Sequence, residues 1–145
     1  MSNQDELGVS FDPWNLGEST YIAKESIKAK YSWMKFLYGR IFENGIGGGT
    51  SLRVEPLLFH YPELEGSHAD IESTFIVGDA IKVSPVLKPV KNMTESTYKV
   101  FFPPGRWLDL DSLKLTEVKN ESGEMVPIKA GALIAKHLRP GYLIP

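Results

Sequence analysis

Asp109 and Asp111 alternate with Leu108 and Leu110, a spacing that sends both carboxylates off one face of an extended strand. Paired carboxylates can do acid/base work on glycosidic bonds. The same alternation is what a half-buried strand shows in any case, so a solvated strand face is the simpler account of the pair. The chain has three histidines, His60, His68 and His137. His68 and Asp70 place two ligand types in one loop, but a zinc site needs three or four, and no third stands nearby at a recognised spacing. Cysteine is absent, which removes disulfides, thiolate metal sites and a Cys nucleophile. No Gly-x-Ser-x-Gly turn marks a serine nucleophile. The glycines of Gly45-Ile46-Gly47-Gly48-Gly49-Thr50 could let backbone amides approach a phosphate. The segment lacks the P-loop lysine, however, and it follows a helix-like stretch instead of preceding one, so it reads as a helix-to-strand connection. Asn92-Met93-Thr94 and Asn120-Glu121-Ser122 match the N-glycosylation acceptor pattern, and both fall in polar connections. From these residues we expect no catalytic group, no metal and no cofactor.

The elements that would carry these residues change character along the chain. Ile27, Tyr31, Met34, Tyr38 and Ile41 recur at helical steps, widened by Trp33, Leu37 and Phe42, which predicts one helix from about Thr20 to Glu43. So many large apolar groups on one helix require a partner layer. Leu52 to Tyr61 is a nearly continuous apolar run, the pattern of a strand buried on both faces as in a parallel sheet, although Pro56 lies inside it. Short strand-like runs follow at Thr74–Val77, Ala80–Pro85, Thr97–Phe102, Trp107–Leu110, Met125–Ile128 and Ala132–Ala135, separated by Gly- and Pro-containing turns. A helix and one buried strand followed by many short strands imply a change of architecture between residues 62 and 70.

Composition narrows the partners. With 145 residues, 42% apolar and 23% charged, the chain has the balance of a soluble globular protein of one ordinary domain or two small ones. A net charge of −2 gives no reason to expect a nucleic-acid or membrane-surface partner. No run approaches the roughly 18 apolar residues of a spanning helix. The acidic N-terminus lacks the basic and apolar regions of a signal peptide, and compartment is otherwise open.

Five segments taken in order resemble glycoside hydrolase family 31, the α-glucosidase family. Tyr31-Ser32-Trp33-Met34-Lys35-Phe36-Leu37-Tyr38 resembles its R-Y-x-L-L-P-Y-L-Y helix. Glu55-Pro56-Leu57-Leu58-Phe59-His60-Tyr61-Pro62-Glu63 is similar to R-P-L-F-F-E-F-P-x-D. The stretch from Phe75 to Leu87 resembles Q-F-x-x-G-x-x-L-L-V-A-P-V-L, and Val100 to Asp109 resembles V-Y-L-P-x-G-x-W-Y-D. His137 to Pro145 is similar to the R-G-G-x-I-I-P segment that follows. Asp12-Pro13-Trp14 extends the likeness upstream. The chain departs from the family where Glu55 stands for the motif's Arg and Pro140 for the first Gly of the closing segment.

The resemblance implies an α+β fragment: the terminal helix and strand of a TIM-type (β/α)8 barrel within residues 1–64, then a mainly antiparallel β-sandwich over 65–145 that lacks its last strand. It also implies a retaining α-glucosidase whose two catalytic Asp lie in W-x-D-M-N-E and W-x-G-D-N motifs. Neither motif occurs in this sequence, so the chain alone is expected to be inactive. The partner implied is the remainder of the barrel, or a second chain, covering the apolar helix face, with an α-linked glucoside as substrate only in the full-length context. The alternative is a truncated paralogue serving as a non-catalytic interaction or carbohydrate-binding module. The resemblance is compatible with a secretory or lysosome-like compartment.

Overall fold

The computed structural model describes residues 17, 20–46, 52–69, 72–87, 97–129 and 134–144. The chain divides into two units, Met1–Gly39 and Arg40–Pro145.

The apolar helical stretch forms two helices, α1 (Thr20–Ser32) and α2 (Met34–Ile46), where one was expected, and the second runs beyond Glu43. The break at Trp33 has a local cause. Ser32 turns its hydroxyl back onto the Ala29 carbonyl at 2.7 Å, and the Trp33 amide bonds to Lys30 three residues back instead of four. Regular bonding resumes from Leu37 N to Trp33 O. Phe36 is buried at 3% exposure and meets the Trp33 ring edge-on, with centroids 6.4 Å apart. No residue of α1 is buried, and Tyr31, Tyr38 and Phe42 are 67%, 61% and 69% exposed. Among the described residues, part of the stripe that the sequence requires to be covered is therefore exposed, while Trp33, Met34 and Leu37 are half-buried.

The run from Leu52 to Tyr61 is not one long strand. Strand β1 (Val54–Pro56) pairs antiparallel with β2 (Phe75–Val77), and a helical turn α3 (Leu57–His60) follows directly. The parallel, doubly buried strand expected here is thus corrected, and Pro56 is the physical reason. Its ring removes a ladder donor, so it is tolerated on the edge strand that β1 occupies, and it then stands as the residue preceding the helical turn. A second short helix, α4 (Glu65–Ala69), was not anticipated.

The remaining strands are β3 (Ile81–Pro85), β4 (Thr97–Phe102), β5 (Gly105–Asp109), β6 (Leu115–Val118), β7 (Glu124–Lys129) and β8 (Ile134–Leu138). A six-stranded sheet runs in the order β1-β2-β3-β8-β5-β6, every neighbour antiparallel, and β4 pairs with β7 in a two-stranded sheet. Strand β4 is the centre of the packing because alternate residues leave opposite faces. Val100 and Phe102 join Trp107 and Val118 in one apolar cluster, while Phe101 joins Leu57, Leu64 and Ile76 in another. Trp107 is fully buried, and its indole N–H is satisfied by the Pro103 carbonyl at 2.9 Å. Among the described residues no helix is long and apolar enough to cross a membrane.

Candidate functional site

The densest polar constellation gathers around Arg139, directly after β8. The turn between β2 and β3 prepares its seat. Gly78 and Asp79 both take positive φ, 57° and 63°, as the two central residues of a hairpin-type turn, and Asp is among the few side chains that tolerate this. The Arg139 amide then donates to Ala80 O at 2.8 Å. Its side chain donates from Nε to the Tyr61 hydroxyl at 2.9 Å and from a terminal nitrogen to Asp79 O at 3.3 Å, and it lies over the rings of Tyr61 and Tyr142. The same terminal nitrogen approaches His60 Nδ1 at 3.1 Å. Burial pushes the Tyr61 phenol up from its ordinary value, opposed by the Arg139 guanidinium.

A guanidinium only donates, so His60 Nδ1 is the acceptor and Nε2 carries the proton of the neutral ring. Burial first, and then the Arg139 charge, hold His60 below its usual pKa, against the pull of Glu55. His60 Nε2 is buried and lies 3.3 Å from Glu55 Oε2 without the alignment of a hydrogen bond. Arg53 completes the group, 3.9 Å from Glu55 and 4.0 Å from Asp79.

Glu55, His60 and Asp79 bring ligand-type atoms within 4.8 Å of one another. Two features set this trio apart from a metal-binding one. A ligating histidine donates its second ring proton to an acceptor, whereas the second nitrogen of His60 faces a donor, Arg139. Two guanidinium groups already balance the two carboxylates, leaving no net negative charge to attract a dication. The same balance separates Glu55 and Asp79 from a retaining-glycosidase pair, which shares a spacing of roughly 5 Å but needs one carboxyl kept protonated. The group is built as a clamp. It ties β1 and α3 to the β2–β3 turn and to the segment after β8.

A second row crosses the sheet. Lys82 on β3 registers with His137 on β8, which registers with Asp109 on β5. Lys82 and His137 are 0% and 2% exposed. Lys82 donates to Ser84 Oγ at 2.9 Å with its ammonium 3.9 Å from the centre of the Phe102 ring, and the His137 ring meets Phe102 edge-on at 4.8 Å. Among the described residues His137 Nδ1 has no hydrogen-bond partner, and Nε2 stands 3.9 Å from Asp109. Burial and the Lys82 charge outweigh Asp109 and Asp111 and lower His137 to about 4.

The residues singled out from sequence are mostly separated. Asp109 and Asp111 do not share a strand face, because β5 ends at Asp109 and Asp111 lies in the following turn. Asp109 Oδ1 accepts the amides of Asp111 and Ser112 at 2.8 and 2.9 Å. Burial would raise the Asp109 carboxyl, but those amides and His137 outweigh it and hold it below the usual range. Asp111 pairs with Lys136 at 2.9 Å. His68 bonds to Pro62 O at 2.9 Å. Asp70, Asn92, residues 12–14 and the glycines at 47–49 lie outside the described residues. Asn120 sits exposed in the turn between β6 and β7. Sequence reasoning missed the Arg139 clamp, although one signal was present. Glu55 and His60 take the positions of Arg and Glu in R-P-L-F-F-E-F-P, and these two exchanges meet in space.

The fold has known counterparts. Residues 50–144 match the family described as glycosyl hydrolase family 31 C-terminal domain, and the chain belongs to that family. Alpha-glucosidase 2 of Bacillus thermoamyloliquefaciens is 32% identical over 100 residues, covering 68% of this chain and 12% of that protein. Lysosomal alpha-glucosidase of Mus musculus is 28% identical, covering 100% of this chain and 16% of its own length. Among solved structures, the Flavobacterium johnsoniae GH31 dextranase superposes with a TM-score of 0.69 at 27% identity, over 92% of this chain and 15% of that one. The cycloalternan-degrading enzyme from Trueperella pyogenes shares the fold, with a TM-score of 0.73 at 20% identity over 97% of this chain and 20% of that chain. The chain therefore spans a small part of the proteins it matches.

Proposed function

We propose that this chain acts as the C-terminal part of a larger α-glucosidase-like glycoside hydrolase and does not cleave glycosides by itself. The helices α1 and α2 within residues 1–64 belong with the end of a TIM-type barrel, and residues 65–145, joined by β1, form the β-sandwich that buttresses it. Glu55, His60 and Tyr61 lie in the same unit as Asp79 and Arg139, where β1 pairs with β2, so the clamp supports the reading by holding residues 53–61 to the sandwich. The rest of the barrel supplies the catalytic carboxylates and covers Tyr31, Met34, Tyr38 and Ile41, and the whole protein acts on an α-linked glucoside.

The observation that carries this reading is one of proportion. The two relatives named above match 68% and 100% of this chain while using only 12% and 16% of their own length to do so. Neither W-x-D-M-N-E nor W-x-G-D-N occurs in the sequence, so no residue here is assigned a catalytic role. Incubating the purified chain with a chromogenic α-glucoside tests the proposal. No turnover above a heat-denatured control is expected, and turnover abolished by Glu55→Gln or Asp79→Asn would overturn it.

A further inference from the structure

We propose that Asn120 is an acceptor for an N-linked glycan, carried at the turn that passes from the six-stranded to the two-stranded sheet. Asn120, Glu121 and Ser122 are all exposed, between the end of β6 at Val118 and the start of β7 at Glu124. Asn120 Oδ1 accepts the Ser122 amide at 3.1 Å and the Ser122 hydroxyl at 2.7 Å, and the Gly123 amide donates to Asn120 O at 2.9 Å. The carboxamide oxygen is thus held twice by the residue two positions on, while Nδ2 donates to no group among the described residues. Every one of these bonds lies within four residues, so the turn needs no tertiary fold and can form on a nascent chain.

Gly123 fixes the other side of the turn. It has φ +79°, and a Cβ there would strike the Phe101 ring and come within 2.8 Å of Phe102 O. The turn is therefore seated on the core through Gly123 and presents Asn120 to solvent, so a bulky sugar can be carried without displacing packed groups.

In the transfer, Nδ2 forms a bond to the anomeric carbon of a polyprenyl-pyrophosphate-linked oligosaccharide. The bond from that carbon to the pyrophosphate oxygen breaks, polyprenyl pyrophosphate leaves with the electron pair, and the amide gives up one proton. The test sends the full chain through a eukaryotic secretory pathway behind a cleavable leader, with both secreted and retained fractions collected because transfer precedes folding. Peptide-N-glycosidase should leave a deamidation mark at Asn120 in the unsubstituted chain and in N92Q. That mark should survive S122T and disappear in S122A. No mark at Asn120 in either fraction, or a mark that persists in S122A, would overturn the proposal.

Discussion

Glu55 Oε2 and His60 Nε2 lie 3.3 Å apart, at the two positions where the R-P-L-F-F-E-F-P motif carries Arg and Glu. The polarity of the motif is reversed here: the acid comes first and the nitrogen base five residues later. Glu55 also lies 3.9 Å from Arg53, so a cation at position 55 would meet like charge. Glu55→Arg should therefore destabilise the chain by about 1–3 kcal/mol, and adding His60→Glu should recover part of the loss. A double-mutant cycle in denaturant measures the coupling. Strict additivity of the two substitutions would mean the pair is not coupled.

Arg139 joins Tyr61 across 78 positions of sequence. Tyr61→Phe removes one partner of a charged donor and should cost about 1.5–3 kcal/mol. Arg139→Ala should cost more, because Asp79 O, His60 Nδ1 and the stacking on Tyr61 and Tyr142 go with it. Arg139→Lys should recover little, since a single ammonium cannot reach these partners as a planar fork does. Shifts in thermal midpoint rank the three. Equal stability of the Lys variant and the parent chain would contradict the clamp.

His137 titrates near 6.5 in an unfolded chain and near 4 in the fold. Between those values the unfolded chain holds the extra proton, so lowering the pH favours unfolding. The contribution is fully present above pH 6.5 and is lost progressively toward pH 4, on the order of 3 kcal/mol in all. His60, also lowered, adds to the same trend. Denaturant midpoints measured from pH 7 to pH 4 should fall, and the slope should be shallower in His137→Gln. An unchanged slope in that variant would show that the buried ring is not the titrating group.

The open faces of α1 and α2 give the opposite kind of expectation. Tyr38→Lys and Phe42→Lys should change folding stability by no more than about 0.5 kcal/mol, as exposed sites do. They should also reduce concentration-dependent association seen by light scattering, because they break an apolar patch. A loss of stability above about 1.5 kcal/mol would mean these rings are packed in the isolated chain.

Much of the fold was legible because its strands carry their own signals. Phe75–Val77, Ile81–Pro85 and Thr97–Phe102 are rich in β-branched and aromatic residues between Gly- or Pro-bearing turns, and they form where the pattern puts them. Leu115–Val118 was missed since Leu-Thr-Glu-Val offers little apolar contrast, and it is recruited to the sheet by pairing with β5. The break at Trp33 was hidden from periodicity, because a back-bonding Ser32 leaves the apolar spacing intact. The apolar run around Pro56 misled for a related reason: hydrophobicity reports burial but does not separate a strand from a strand followed by a helical turn. The clamp was the least legible feature. Its members are scattered from Arg53 to Arg139, and only the fold brings them together.

We propose that this chain contributes structure to a glycoside hydrolase whose cleaving groups lie elsewhere. The most direct test is hydrolysis of a chromogenic α-glucoside by the purified chain, alongside the same chain joined to a family 31 barrel that carries its two Asp. Activity from the joined protein and none from the isolated chain is the expected result. Steady turnover by the isolated chain, lost on substituting Glu55 or Asp79, would contradict it.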